Sequence, residues 1–337
     1  MRLRLIAFSA KGMETGARLA GSFAARGDET ELSRCAAGGL ETWTAENFPL
    51  ADGLIFVGSC GIAVRAIAPF VKSKTTDPAV LAVDELGRFC VPLLSGHIGG
   101  ANELALTAAG YLGAVPVVTT ATDINGVFAV DTWARRRGFA IIEPERIKTV
   151  SSLLLSGGTA RLKSDFPTAG AAPKNVALTD GKCDICVSCR ADGGGALHLV
   201  PRVVTLGLGC RRGAPEEQIE AVFAAALERA GCRGEAVARV CSIDLKAGEP
   251  GILEFCRRRG LPFETFTAEE LSGVEGDFSG SAFVKSITGV DNVCERSAVL
   301  GSGGGVLIAG KTVGEGATAA LAMADYTLCF DTEGETI

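Results

Sequence analysis

No apolar run in the chain approaches the roughly 20 residues a membrane-spanning helix requires, so its abundant Ala, Val, Leu and Gly belong to packed elements. No export signal is expected either: the apolar run in MRLRLIAFSAKG is broken by Lys11, below the roughly 7–15 residues such a segment needs. A soluble, cytoplasmic protein is expected. Basic charge is in deficit. A formal net charge of −6 argues against nucleic acid as the main partner, since phosphate neutralisation needs a concentrated basic face, and no membrane partner is expected either. An anionic ligand would have to be met by a local group of cations.

Two metal or cofactor motifs are present only in part. Cys183, Cys186 and Cys189 form C-x-x-C-x-x-C, but the fourth ligand of an iron–sulfur run is absent. Twelve cysteines in a chain read as unexported are better taken as reduced thiols, many of them small buried residues. The G-x-G at Gly207 lacks the rest of the dinucleotide fingerprint. No internal repeat is visible, although GSCG at 58–61 and GLGCRRG at 207–213 are similar strand-to-helix turns.

What is present is an ordinary globular composition, 47% hydrophobic and 21% charged over 337 residues, enough for two or three domains. Strands are expected at Leu3–Phe8, Gly53–Val57, Ala79–Asp84, Phe89–Leu94 and Pro116–Thr119. Helices between them carry Met13, Ala17, Ala20 and Ala24; Ile62, Ala66, Ile67 and Phe70; and Leu104, Ala105, Ala108 and Leu112 at helical spacing. Pro92 cannot donate to a ladder and places its strand at an edge. Residues 138–200 are less regular, with a helix near Ile147–Leu155. From Val203 the alternation resumes, with a helix from Pro215 carrying Ile219, Val222, Phe223 and Ala226. The fold class is therefore α/β: two three-layer α/β/α domains, 1–137 and 201–330, joined by a smaller, less regular middle subdomain, 138–200.

The chemistry concentrates in LLSGHIGGANELALTAA, residues 93–109. Ser95, Gly96, His97, Gly99, Gly100, Asn102 and Glu103 crowd polar and titratable groups into a glycine-rich turn ahead of a helix, and one of only two histidines sits there. An imidazole there can exchange protons near neutrality. The bland alternative is a turn histidine bonded for structure. Glu103 and Asp77 are candidate carboxylate partners, against the alternative of acids that merely cap or solvate a helix start. Arg65, Lys72, Lys74 and Arg88 form a local positive group suited to carboxylates, or a solvated face. Ser59 and Gly61 open a helix that could seat an anion. Arg211, Arg212 and Lys311 give a weaker cue of the same kind, and Cys60 and Cys210, near helix starts, are conceivable nucleophiles.

These residues alone do not identify a substrate. The run GSCGIAVRAIAPFVKSKTTDPAVLAVDELGRFCVPLLSGHIGGANELA, residues 58–105, resembles the signature of the cobalt-precorrin-5A hydrolase family of anaerobic cobalamin biosynthesis. LGLGCRRGAPEEQI, SIDLKAGEPGILEFCRRRGLPF, GVDNVCERSAVL and LIAGKTVGEGATAALA resemble its C-terminal domain. The resemblance implies a cobalt-bearing tetrapyrrole with several carboxylates as substrate, opening of its lactone by water, and loss of a two-carbon fragment as acetaldehyde. His97 would then be the general base, backbone N–H groups near Gly99 and Gly100 the oxyanion donors, and Glu103 or Asp77 auxiliary acids. Ser59, Gly61, Arg65, Lys72, Lys74, Ser95, Gly96, Gly99, Gly100, Asn102, Arg211 and Lys311 would bind substrate. Cobalt would arrive with the substrate, so no cofactor or protein-held metal is expected, and neighbouring enzymes of the pathway are candidate partners. Two other readings stay open: a non-catalytic corrinoid carrier, and a nucleotide-binding α/β protein.

Overall fold

The computed structural model describes residues 1–73, 76–97 and 99–330, with the backbone alone of Asp123. Two compact units form, residues 1–135 with 147–158, and residues 136–146 with the chain from Thr159 onward. Both are mixed α/β.

The first unit contains β1 (Arg2–Ala7), α1 (Ala10–Ala25), β2 (Glu29–Arg34), α2 (Leu40–Asn47), β3 (Gly53–Val57), α3 (Cys60–Ile67), β4 (Ala79–Val83), β5 (Phe89–Leu94), α4 (Ala101–Leu112), β6 (Val115–Pro116), α5 (Ala121–Ile124) and most of α6 (Val130–Arg136). The sheet order is β2-β1-β3-β4-β5-β6. Strands β2, β1, β3 and β4 are parallel, while β5 runs antiparallel to β4. Every residue of β3 and β4 is buried, as their unbroken apolar sequences require of strands covered on both faces. Leu3, Leu5, Leu19, Phe23 and Leu104 pack under α1 and α4 on one face; Ile6, Phe48, Phe56 and Ile67 pack under α2 and α3 on the other.

Several local expectations shift. The buried face of α1 is Gly12, Thr15, Gly16, Leu19 and Phe23, one residue or about 100° around the helix from the alanine stripe. Glycine lets the helix lie close: a Cβ on Gly16 would stand 2.8 Å from Leu32 Cδ1. Helix α3 stops at Ile67, short of the expected Phe70, because Pro69 has no N–H to donate to the Arg65 carbonyl and continue the ladder. Strand β2 went unread because ETELSR is a polar edge strand without a buried apolar run. Pro92 does not lie on an edge strand; it lies beyond the two-residue pairing of β5 with β6, where no ladder donor is needed.

The second unit begins with β7 (Ala140–Ile141); α7 (Arg146–Leu155) then returns to the first unit over 147–155. Strands β8 (Ala160–Ser164), β9 (Thr168–Ala169), β10 (Val176–Leu178), β11 (Ile185–Val187) and β12 (Leu197–Val200) follow, giving a sheet of order β10-β8-β11-β12-β7. Next come β13 (Val204–Cys210), α8 (Glu216–Ala230), β14 (Val237–Ile243), α9 (Pro250–Arg259), β15 (Phe263–Phe266), α10 (Ala268–Ser272), α11 (Ala282–Thr288), α12 (Cys294–Gly301), β16 (Val306–Val313) and β17 (Ala317–Met323). Their sheet has the order β15-β14-β13-β17-β16, with β13, β14 and β15 parallel and β17 antiparallel to its neighbours. The anticipated stripe of α8 is buried, Ile219, Val222, Phe223 and Ala226, against Leu206, Phe255 and Leu321. On the opposite face α12 lies so close to β13 that a Cβ on Gly207 would be 1.9 Å from the Cys294 carbonyl oxygen. No helix among the described residues is long and apolar enough to cross a membrane.

Candidate active site

The reversal of β5 decides where the glycine-rich turn goes. Because β5 is antiparallel to β4, with Val80 opposite Leu94, residues 95–97 and 99–100 emerge where the parallel strands begin. Ser95 Oγ fixes them there by donating to the Asp77 carbonyl at 3.0 Å. Ser59, Cys60 and Gly61 follow β3 and so lie at the opposite edge of the sheet, about 16 Å away for a five-residue strand. Arg88, at the start of β5, belongs to that far edge and pairs with Asp84. Ser59 Oγ accepts the Gly61 N–H at 3.3 Å and caps α3. Arg65 sits exposed in the last turn of α3, and Lys72 follows in the loop returning to β4. Lys74 lies outside the described residues.

Within the turn each glycine has a steric reason. A Cβ on Gly96 would be 2.8 Å from Asn102 Oδ1; one on Gly99 would be 2.3 Å from Ser95 Cβ. Gly100 takes φ +82° and lies beneath the Arg135 guanidinium, whose Cζ is 3.2 Å from where its Cβ would stand. Ser95 itself holds a left-handed φ of 57°. The N–H of Gly100 donates to the His97 carbonyl, that of Ala101 to Ser95 and that of Asn102 to Gly96, at 2.9, 3.0 and 3.0 Å. The anticipated oxyanion donor at Gly100 is therefore spent inside the turn. Asn102 Nδ2 reaches Thr120 Oγ1 at 2.9 Å and ties the turn to the chain beyond β6.

The His97 side chain is 17% exposed and is held at both nitrogens. Nε2 is 3.0 Å from Thr122 Oγ1, and Nδ1 is 2.8 Å from Thr132 Oγ1. Behind Nδ1, Asp131 Oδ1 stands at 3.7 Å and also accepts the Thr132 N–H at 2.9 Å. A buried carboxylate beside Nδ1 favours the tautomer with its proton there, which leaves Nε2 as acceptor toward Thr122. The two carboxylates singled out in the sequence are engaged elsewhere. Asp77 Oδ2 accepts the N–H groups of Lys72 and Ser73 at 2.8 and 3.0 Å, closing the loop before β4. Glu103 pairs with Arg135. The sequence reading missed Thr122, Asp131, Thr132 and Arg135; the only signal was a cluster of small polar residues, TTATD and VDTWAR, in a stretch without periodicity.

In the second unit, Arg211 follows β13 and donates its N–H to Gly316 at 2.8 Å. Beside it Glu249 accepts from the Gly213 N–H at 2.5 Å and from Lys246 Nζ at 2.9 Å. Burial pushes the Cys210 thiol above its ordinary range, which weakens it as a nucleophile. Lys311 lies on β16, where its N–H donates to the buried Glu295 at 2.6 Å. Cys186 lies in β11, while Cys183 and Cys189 lie in the loops before and after it. Among the described residues no three His, Cys, Asp or Glu side chains are grouped to hold a metal.

Comparison with known proteins gives this geometry its setting. The family described as cobalamin synthesis G N-terminal matches residues 42–123, spanning both sheet edges and Thr122, and the cobalamin synthesis G C-terminus family matches 204–322. The chain is 38% identical over 314 residues to the cobalt-precorrin-5A hydrolase of Salmonella typhimurium, covering 85% of this chain and 86% of that protein. It is 31% identical over 324 residues to the protein of the same name from Priestia megaterium, covering 89% and 86%. A shorter match, 36% over 121 residues, joins 35% of the chain to 79% of Protein CobE of a Sinorhizobium species. With a third of its residues shared along nearly the whole length of two such relatives, the chain belongs to the cobalt-precorrin-5A hydrolase family.

Proposed function

We propose that this protein opens the lactone of a cobalt-bearing tetrapyrrole and releases a two-carbon fragment as acetaldehyde, in the cytoplasm and with the cobalt carried by the substrate. The observation that carries the reading is the match to two cobalt-precorrin-5A hydrolases over about 86% of their own length. The first unit supplies a suitable proton-transfer group. His97 Nε2, held with its lone pair toward Thr122, takes the proton of the attacking oxygen and returns it to the departing ring oxygen; Asp131 faces the imidazolium formed between those events. Arg65, Lys72 and Lys74 of the same unit receive substrate carboxylates. Arg135, stacked on Gly100 and paired with Glu103, holds the turn in shape.

Acetaldehyde released from the purified protein and its cobalt tetrapyrrole, followed through NADH consumption by an added alcohol dehydrogenase, tests the activity. His97→Gln should lower turnover at least about 100-fold while the substrate still binds, the range a positioned base supplies. Turnover within a few-fold of the unaltered protein would remove His97 from the mechanism. Tight binding of the tetrapyrrole with no acetaldehyde would leave a corrinoid carrier as the better reading.

A further inference from the structure

A base with its accepting nitrogen already bonded to a side-chain hydroxyl raises the question of which oxygen attacks. Thr122 Oγ1 lies 3.0 Å from His97 Nε2, the separation of a nucleophile from its base. On the other side of the ring, Nδ1 meets Thr132 Oγ1 at 2.8 Å with the Asp131 carboxylate at 3.7 Å. Hydroxyl, imidazole and carboxylate thus follow one another in the order that activates a hydroxyl for acyl transfer, with a second hydroxyl, that of Thr132, bonded to the same ring nitrogen the carboxylate faces. All three belong to the first unit. Thr122 is 7% exposed, so its oxygen is poorly solvated, which suits attack on a bound ester. A water acting in its place would have to displace this hydroxyl from Nε2.

We propose that Thr122 is the nucleophile of lactone opening and that the reaction passes through an ester of its side chain; this rests on the lactone-hydrolase reading above. Thr122 Oγ1 bonds to the lactone carbonyl carbon as its proton passes to His97 Nε2. The ring C–O bond breaks, and the departing oxygen takes that proton, leaving a free hydroxyl on the macrocycle and an acyl group on Thr122. Water then adds to the new ester and gives its proton to Nε2. The Oγ–acyl bond breaks, and the proton returns to Thr122. One water is consumed and no oxidant or reductant is needed.

The test uses the full-length protein and its cobalt tetrapyrrole, quenched in acid within the first turnover. Intact mass and peptide mapping should show one substrate-sized adduct on the peptide containing Thr122. Thr122→Ser should retain the adduct and turn over within about tenfold of the unaltered protein; Thr122→Ala should lose the adduct and at least about 100-fold in turnover. Matching melting curves for the three proteins separate loss of chemistry from loss of fold. Acetaldehyde production by Thr122→Ala within tenfold of the unaltered protein would overturn the nucleophile and leave the hydrolase reading standing. No acetaldehyde from the unaltered protein would overturn both.

Discussion

Gly99→Ala, in the glycine-rich turn, and Gly110→Ala, in the helix α4 that follows it, add the same methyl group and should act with opposite sign. At Gly99 the new carbon would lie 2.3 Å from Ser95 Cβ and 2.9 Å from the Ser95 carbonyl oxygen, against an optimum of about 3.5–4.0 Å. Neither obstacle is the far end of a flexible chain, and Ser95 is pinned by its bond to Asp77, so the cost falls toward the upper end of the roughly 1–3 kcal/mol of an overpacked site. At Gly110, inside α4, nothing lies within 4 Å of the added carbon, and exchanging a helical glycine for alanine contributes about 0.5–1 kcal/mol of stability. Trp43 and Trp133, the two tryptophans of the chain, both belong to the first unit, so their fluorescence in urea follows that unit alone. With a slope of about 1–3 kcal/mol per molar urea, Gly99→Ala should lower the midpoint by roughly 1 M and Gly110→Ala should raise it by a few tenths. Gly99→Ala should also slow acetaldehyde release, since it displaces the backbone that aims His97. Equal midpoints for the two variants would show that the turn is not closed as described.

Other consequences are open to measurement. Burial alone would raise the Glu249 carboxyl, but the bonds it accepts from Lys246 and the Gly213 N–H outweigh that and hold it below its ordinary value of 4.5. The stabilisation it supplies is therefore complete above about pH 4.5 and fades as pH falls through the depressed value. Glu249→Gln should melt below the unaltered protein at pH 7, with the gap closing under acid; a pH-independent gap refutes the ion pair as its source. Thiol titration with an aromatic disulfide reagent should release four fast thiols, from half-buried Cys35, Cys60, Cys183 and Cys329, a slower one from Cys210, whose thiol burial holds above its ordinary range, and the seven buried ones only after denaturation. Seven or more fast thiols would contradict the burial of β11 and α12 cysteines.

The α/β class was legible because β3 and β4 are apolar at every position and α8 carries an uninterrupted stripe, signals that burial on both faces or along one face produces directly. The importance of the turn at 95–100 was legible from its glycines, each of which proves to be required by a close contact or a positive φ. Its partners were not. Thr122 and Asp131 lie 25 and 34 residues from His97 by their numbers, in short helices whose residues show no period, and only the return of the chain past β6 brings them to the ring. The cations misled for a related reason. Arg65, Lys72 and Arg88 are close in sequence, but a parallel strand and a hairpin separate them along the sheet, so Arg88 ends at the edge opposite the turn.

The interleaving of the two units has a consequence for synthesis. The first unit is not complete until α7 has been made, yet residues 136–146, which lead into α7 and include its first residue, belong to the second unit. Within them β7 finds its partner only when β12 is translated, since Ile141 pairs with Leu199. At about 5–20 residues per second, that strand emerges from the ribosome several seconds before its ladder can form. For that interval the first unit can fold around His97 with a short unpaired strand tethered inside its sequence, and a chaperone holding residues 140–141 would act on the second unit without touching the first.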